Sequence, residues 1–119
     1  MAIPSRVLGA GNSALSTISI CGDGATGLVA VGSTIADALQ LSAVWNTLTT
    51  SSASTGVILP PTEAGAMVGI RNDSGSTVTI YPKAGSTINA GASTLSLATA
   101  KTVILFATSA TTWASVLTA

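Results

Sequence analysis

Short runs of alternating apolar and polar residues dominate the second half of the chain. Within residues 66–72, Val68 and Ile70 alternate with Gly69 and Arg71. A period of two puts successive side chains on opposite faces of a β-strand, so this run predicts a strand with one buried face. The same reasoning predicts further strands at 56–59, 76–82, 87–89, 95–97, 101–108 and 111–118. The run at 101–108 is almost continuously apolar, which predicts burial on both of its faces.

Turn-forming residues separate these runs at intervals of about eight to twelve residues. Pro60 and Pro61 end one strand, and Asp73-Ser74-Gly75 predicts a hairpin turn between two others. This spacing is typical of a sandwich or small barrel, and no internal repeat is visible in the sequence. We therefore predict an all-β protein built as a small antiparallel β-sandwich or barrel.

The first half of the chain is less regular. Residues 1–12 contain proline and glycine but no periodicity, so we predict an extended N-terminal arm followed by a single β domain over residues 13–119. A loose alternation over 13–20 favours a strand. Residues 35–45 fit both a strand and a short helix. The alternation continues through the β-prone residues 45–50 and favours the strand, and the helix is the alternative.

Composition changes the picture because charged residues are rare. Of the 119 residues, 47% are hydrophobic and only 7% are charged, with a net charge of zero, whereas typical domains have about 25% charged residues. The mean hydropathy is +0.65. A soluble monomer normally carries interspersed charges that prevent association. We infer that the chain covers much of its surface with copies of itself or with a larger assembly.

The same composition argues against several classes of partner. Because there is no excess of positive charge, we do not expect binding to nucleic acid. The longest apolar stretch, near residues 103–107, is far shorter than the ~20 residues of a spanning helix. Residues 1–6 lack the apolar block of a signal peptide. We therefore expect neither nucleic acid nor membrane as a partner.

Residues that could perform catalysis or hold a metal are scarce. The chain has no histidine and a single cysteine, Cys21, which excludes most zinc sites and leaves a catalytic thiol without a base. The four acidic residues stand singly in predicted loops or at strand ends: Asp23, Asp37, Glu63 and Asp73. We therefore expect no enzyme activity, no catalytic residues, no metal and no cofactor.

Gly22, Gly24 and Gly27 match the spacing of a dinucleotide-binding loop. That mechanism needs a helix after the loop, because the helix N-terminal amides bind the pyrophosphate. Residues 28–32 favour a strand instead, and Asp23 within the loop would repel phosphate. The glycines therefore indicate a turn.

Two Thr-x-Thr pairs, at 47–49 and 77–79, resemble fragments of the threonine ladders of β-solenoid ice-binding proteins. A flat ladder needs threonine at one fixed period on adjacent coils. The pairs in this chain are scattered, which favours solvent-facing threonines on ordinary strands.

Four aromatic residues are candidates for core or contact positions. Phe106 lies inside an apolar run, and we expect it in the core. Trp45, Tyr81 and Trp113 have polar or proline neighbours, and both core packing and intersubunit contact fit them. With the predicted arm, this selects six candidate residues for a partner interface: Ile3, Pro4, Arg6, Trp45, Tyr81 and Trp113.

A larger pattern spans roughly residues 47–118. It comprises GVILPP at 56–61, Glu63, Gly65, a strand ending at Asn72, VTIYP at 78–82, Ile88-Asn89 and a closing segment with Trp113. This pattern resembles small virion structural proteins of tailed bacteriophages. The opening segment ICGDGA at 20–25 is similar to head decoration, or cement, proteins.

The resemblance implies a capsid decoration protein that binds the outer surface of the phage head as a homo-oligomer, expected to be a trimer, and stabilises the shell. Its partners would be copies of itself and the major capsid protein, on the outer surface of the virion. The same β-module also occurs in tail and fibre proteins, so a virion module that binds host-surface glycan is the alternative. The resemblance implies no enzyme activity and no cofactor.

Overall fold

Two short helices precede ten β-strands in the computed structural model, which describes residues 4–118 apart from the side chains of Val7, Ser19 and Ile20. The helices are α1 (Pro4–Gly9) and α2 (Ala14–Cys21). The strands are β1 (Gly24–Val29), β2 (Leu39–Gln40), β3 (Trp45–Thr50), β4 (Gly56–Ile58), β5 (Met67–Asn72), β6 (Val78–Tyr81), β7 (Thr87–Ile88), β8 (Leu95–Leu97), β9 (Lys101–Ala107) and β10 (Thr112–Leu117).

The strands form two sheets through which the chain coils. The six-stranded sheet has the order β1-β3-β5-β9-β10-β7, and the four-stranded sheet has the order β2-β4-β6-β8. From β1 to β6 successive strands alternate between the sheets, and each of β1 to β4 pairs in parallel with the strand two further along the chain. The first six strands therefore make three turns of a solenoid-like coil.

The last four strands close this coil with a different pattern. β9 runs antiparallel between β5 and β10, and β8 runs antiparallel to β6. β7 pairs in parallel with β10. The expected β class is confirmed. The expected antiparallel pairing is wrong for most of the described pairs, because a chain that crosses to the other sheet after each strand returns in the same direction. The mixed sheets coil and do not form a clear sandwich or barrel.

The apolar core lies between the two sheets. Val68 and Ile70 of β5 and Val78 and Ile80 of β6 are buried in it, as their alternation predicts. The expected burial of β9 on both faces is wrong, because this strand buries every second side chain and leaves Phe106 40% exposed. β9 has the core on only one side, so its apolar run produces exposed apolar residues.

The segment between β5 and β6 crosses from one sheet to the other, so the hairpin predicted at residues 73–75 is wrong. The buried side chain of Asn72 organises this crossing. Its Nδ2 donates to the carbonyl oxygens of Ser76 and Leu97, each at 2.9 Å, and its Oδ1 accepts from the backbone N of Ser74 at 3.0 Å. These bonds satisfy backbone groups that the bend would otherwise bury without a partner.

The N-terminal segment differs most from expectation. Because α1 and α2 occupy most of it, the extended arm and the strand expected over residues 13–20 are both wrong. Pro4 suits the first turn of a helix, and Ser13 Oγ accepts a hydrogen bond from Ser16 N at 3.1 Å as the N-cap of α2. Residues 1–3 of the predicted arm lie outside the described residues.

The preference for strand over residues 35–50 is confirmed only at β2 and β3, since residues 35–38 form a turn and residues 41–44 connect the two strands; the helix alternative is wrong. A turn precedes β2. In that turn Asp37 Oδ1 accepts hydrogen bonds from Ser33 N at 3.1 Å and from Thr34 N at 2.8 Å. The carboxylate therefore holds the loop that leads into the four-stranded sheet.

Candidate interaction surface

The α1–α2 pair, residues 4–21, stands apart from the strands. The two helices contact each other, and within residues 4–118 neither packs extensively against a strand. Leu8, Leu15 and Ile18 are exposed on this pair, and Leu15 is 80% exposed. Leu15 and Ile18 are three residues apart on α2 and therefore share a face of the helix, and adjacent apolar side chains left in water mark surfaces that bind a partner. The α1–α2 pair is therefore the first candidate surface.

Three of the candidate interface residues fall in or next to α1. Pro4 and Arg6 are exposed on this helix, as an interface role requires. Ile3 lies outside the described residues. The sequence patterns did not select Leu15 and Ile18, because that segment was expected to be a strand; a spacing of three residues after the Ser13 cap was the available signal.

A second apolar surface lies on the six-stranded sheet, on the side away from the core. Two adjacent rows of paired residues cross it. The rows are Trp45-Gly69-Ile104-Val116 and Met67-Phe106-Ala114. We call these seven residues the outer apolar face. Its large side chains are substantially exposed: Trp45 and Met67 to 38%, Phe106 to 40% and Val116 to 60%.

Gly69 leaves room for the Trp45 ring, which occupies the space that a side chain at this position would fill. A Cβ atom at Gly69 would be 2.1 Å from Trp45 Cε3, so a larger residue has no room beneath the ring. The backbone around the ring is fixed as well. Trp45 N donates to Asp23 O at 3.0 Å, and the buried Asn46 Nδ2 donates to the carbonyl oxygens of Ala43 and Gly69 at 2.9 and 3.2 Å. The indole is therefore presented by a rigid part of the sheet.

Charge is confined to the rim of the outer apolar face. Arg71 lies one row beyond Gly69 on β5 and pairs in register with Thr102 of β9. Its Nε lies 2.6 Å from Asp73 Oδ1, and its Nη1 donates to Ala100 O at 2.9 Å. Both charged side chains are partly exposed, so the pair adds little stability. It leaves this part of the rim without net charge, whereas Asp23 lies at another part of the rim, next to Trp45.

The four-stranded sheet presents a polar surface on its side away from the core. Its residues, which we call the outer polar face, are Gln40, Thr79, Tyr81 and Ser96. Tyr81 OH donates to Ser33 O at 2.9 Å, and Gln40 Nε2 donates to Leu41 O at 2.8 Å. The candidate residue Tyr81 is thus already bonded within its own chain.

The structure places Trp113 in the core and Phe106 at the surface. Trp113 is 1% exposed, and its Nε1 donates to Thr62 Oγ1 at 3.1 Å. Trp113 is therefore a core residue and leaves the candidate interface. Phe106, expected in the core, lies on the outer apolar face. A strict period of two through Leu105 and Ala107, both buried, was the signal that could have placed it outside.

Asp23 and Asp37 accept backbone hydrogen bonds that hold loops in place. Within residues 4–118 no three or more His, Cys, Asp or Glu residues lie close enough together to hold a metal ion. Asp23 Oδ1 accepts from Val44 N at 2.9 Å. Hydrogen bonds from the hydroxyl and then the backbone N–H of Thr34 lower the pKa of Asp37 below its ordinary 3.8. These roles are structural.

The glycine motif lies between a helix and a strand. Gly22 is the C-cap of α2, with φ 79°, and Gly24 begins β1. A dinucleotide-binding loop needs the opposite order, strand and then helix. The interpretation of these glycines as a turn is correct at Gly22 only, because Gly24 and Gly27 lie within β1, where Gly27 has φ 70° at an irregularity of the strand.

No protein-family model, curated protein or solved structure matches this chain. Within residues 4–118, neither helix has the length and apolar character to cross a membrane. The α1–α2 pair and the outer apolar face are therefore the two features from which a function can be argued.

Proposed function

We propose that this chain is a capsid decoration, or cement, protein of a tailed bacteriophage. It binds the outer surface of the head as a homo-oligomer, expected to be a trimer, with the major capsid protein as its partner. The observation that carries this proposal is the α1–α2 pair, whose apolar side chains are exposed on a segment that the β body does not need. The low charge of the chain and the resemblance over residues 47–118 also support it.

The α1–α2 pair suits attachment to a shell. Full burial of a leucine or isoleucine side chain contributes about 1.5–3 kcal/mol, so Leu8, Leu15 and Ile18 together can anchor the chain. A protein that binds only assembled shells stabilises them by mass action. The β body then supplies a compact outer cap, and no chemistry is needed.

Removal of residues 2–12 tests this role, because it deletes α1 and leaves every strand. The expected result is loss of co-sedimentation with purified shells while the far-ultraviolet circular dichroism keeps its β signal. Unchanged co-sedimentation of a folded truncated protein would contradict the proposal.

A matched pair of point variants sharpens the test. Leu15→Ser removes the most exposed apolar side chain of α2, whereas Ser16→Ala changes an exposed neighbour and keeps the backbone donor of the cap. We expect Leu15→Ser to weaken shell binding at least about tenfold and Ser16→Ala to leave it unchanged. Equal binding by both variants would remove α2 from the contact.

The copy number in particles distinguishes decoration from other virion roles. Quantitative mass spectrometry of purified particles is expected to give a ratio to the major shell protein of order one. A few copies per particle would favour a tail or fibre location, and absence from particles would contradict both.

A glycan-binding tail or fibre module is the second candidate, and Trp45 favours it. Trp45 is 38% exposed on the sheet surface, and exposed aromatic rings can stack on sugars. Trp113 cannot take this role because it is buried. If this candidate is right, Trp45→Ala abolishes binding to host cells and leaves shell binding intact; the decoration proposal predicts no host-cell binding to lose.

A further inference from the structure

We infer that the outer apolar face is the surface on which copies of this chain associate with one another. This inference rests on the proposed function and deepens it. It assigns to the homo-oligomer a contact surface that is separate from the α1–α2 pair. The measurement is made on the free protein, so that the two proposals can fail independently.

The first argument is area. β1, β3, β5, β9 and β10 each have six or seven residues. At about 4.8 Å between strands and 3.3 Å per residue, their face covers roughly 500 Å² before side-chain relief is added. A standard interface takes about 800 Å² of accessible surface from each partner. The outer apolar face takes roughly 220 Å² of this sheet face, so an interface of standard size would have it as the apolar centre and the polar rim of the sheet as the border.

The second argument is charge. None of the seven residues of the outer apolar face is charged, and the nearest cation on β5, Arg71, is paired with Asp73 of the same chain. A partner with a strongly charged surface would have nothing to pair with here. A second copy brings an equally uncharged centre, so no charge is buried without a partner at the centre of the contact, while Asp23, whose backbone oxygen accepts from Trp45 N, stays at the rim.

The third argument is the shape of the surface. Ala114 is a low position next to the large side chain of Phe106, whereas the Trp45 ring fills the space over Gly69. A large side chain of one copy can therefore pack over Ala114 of another. Both a two-fold arrangement and three faces around a three-fold axis allow such contacts.

The test places a charge in the centre of this face. Phe106→Glu would bury a carboxylate at every contact, and Ser96→Glu adds the same charge on the exposed outer polar face as a matched control. Sedimentation equilibrium is expected to show a dimer or trimer for the unmodified protein and for Ser96→Glu. Phe106→Glu should associate about 100-fold more weakly or worse.

Two further measurements keep the test decisive if Phe106→Glu does not fold. Val116→Glu changes the most exposed residue of the same face. In the unmodified protein, Trp45 fluorescence should shift to shorter wavelength as concentration rises, because association buries its ring, while buried Trp113 contributes a constant background.

Each outcome decides between the two proposals. A protein that stays monomeric to its highest soluble concentration, with no Trp45 shift, would overturn this inference and leave shell binding to be judged alone. A folded Phe106→Glu protein of unchanged mass would also overturn it; loss of shell binding in that variant would then assign the face to the shell. A monomeric Phe106→Glu protein that still binds shells supports the inference.

Discussion

The two sheets share one core but complete their outer surfaces in opposite ways. On the four-stranded sheet, Tyr81 and Gln40 bond to carbonyl oxygens of their own chain. On the six-stranded sheet, Trp45, Met67 and Phe106 are left partly exposed. A face whose polar groups are satisfied internally needs no partner, whereas an apolar face gains free energy when it is covered. This difference indicates that the outer side of the six-stranded sheet is the one available for contact.

The largest effect is expected on the polar side, at Gly56. A Cβ atom there would lie 2.6 Å from Tyr81 Cε2 and 2.8 Å from the carbonyl oxygen of Thr79. Because the second obstacle is backbone in a paired strand, Gly56→Ala should lower the free energy of unfolding by about 3 kcal/mol. Urea denaturation followed by circular dichroism measures this. Gly75→Ala, where nothing lies within 4 Å, is the control and should be near neutral.

The apolar side has the matching position, Gly69, and the expected effect is smaller. A Cβ atom there meets only the Trp45 ring, at 2.1 Å from Cε3. The ring is at the surface and can swing outward, so Gly69→Ala should cost about 1–2 kcal/mol and move Trp45 emission to longer wavelength. An equal loss of stability in Gly69→Ala and Gly56→Ala would contradict this expectation, because it would mean that the Trp45 ring cannot move outward.

Tyr81→Phe tests how far the polar side depends on its internal bonds. It removes the hydrogen bond to Ser33 O and keeps the ring over Gly56. We expect a loss of about 1 kcal/mol in the free energy of unfolding. Amide exchange should become faster in the loop at residues 32–38 and stay unchanged in β9. Uniformly faster exchange would mean that the bond supports the whole fold.

Lowering the pH is expected to have the smallest effect on the fold. Because the pKa of Asp37 is lowered in the folded chain, its contribution is fully present above the ordinary 3.8 and is lost as the pH falls through the lowered value. The amide signals of Ser33 and Thr34, followed by NMR during acidification, should therefore titrate with a midpoint below 3.8. Asp37→Ala should abolish that step. A midpoint at or above 3.8 would contradict the role given to Thr34.

Strand positions and buried faces could be predicted because they depend on neighbouring residues. The alternation of Val68 and Ile70 with Gly69 and Arg71 placed β5 and its buried side correctly. Strand partners could not be predicted in this way. Val57 pairs with Leu39 on one side and with Ile80 on the other. Because these partners lie at unequal distances along the chain, the sequence has no fixed period that would predict the coil.

The candidate surface was predicted only in part. Trp45 was selected for its polar neighbours, and its exposure agrees with an interface role. Trp113 has similar neighbours but is buried, because neighbouring residue types do not show which face of a strand meets the core. Leu15 and Ile18 were missed because Ser, Thr and Ile in α2 suit a strand as well as a helix, and the Ser13 cap makes the difference.

The order of the strands in the sheets has a consequence for synthesis of the chain on the ribosome. β5 has a neighbour on one side only until β9, about thirty residues later, can pair with it, and translation adds about 5–20 residues per second. During that interval β5 presents an open strand edge, which is where unfinished chains join one another. The closing strand β9 also carries Phe106. The surface inferred for self-association also contains Ala114 and Val116 of β10, so it is complete only after β9 has sealed the coil and β10 has paired with it, and copies can meet there only once this part of the fold is finished.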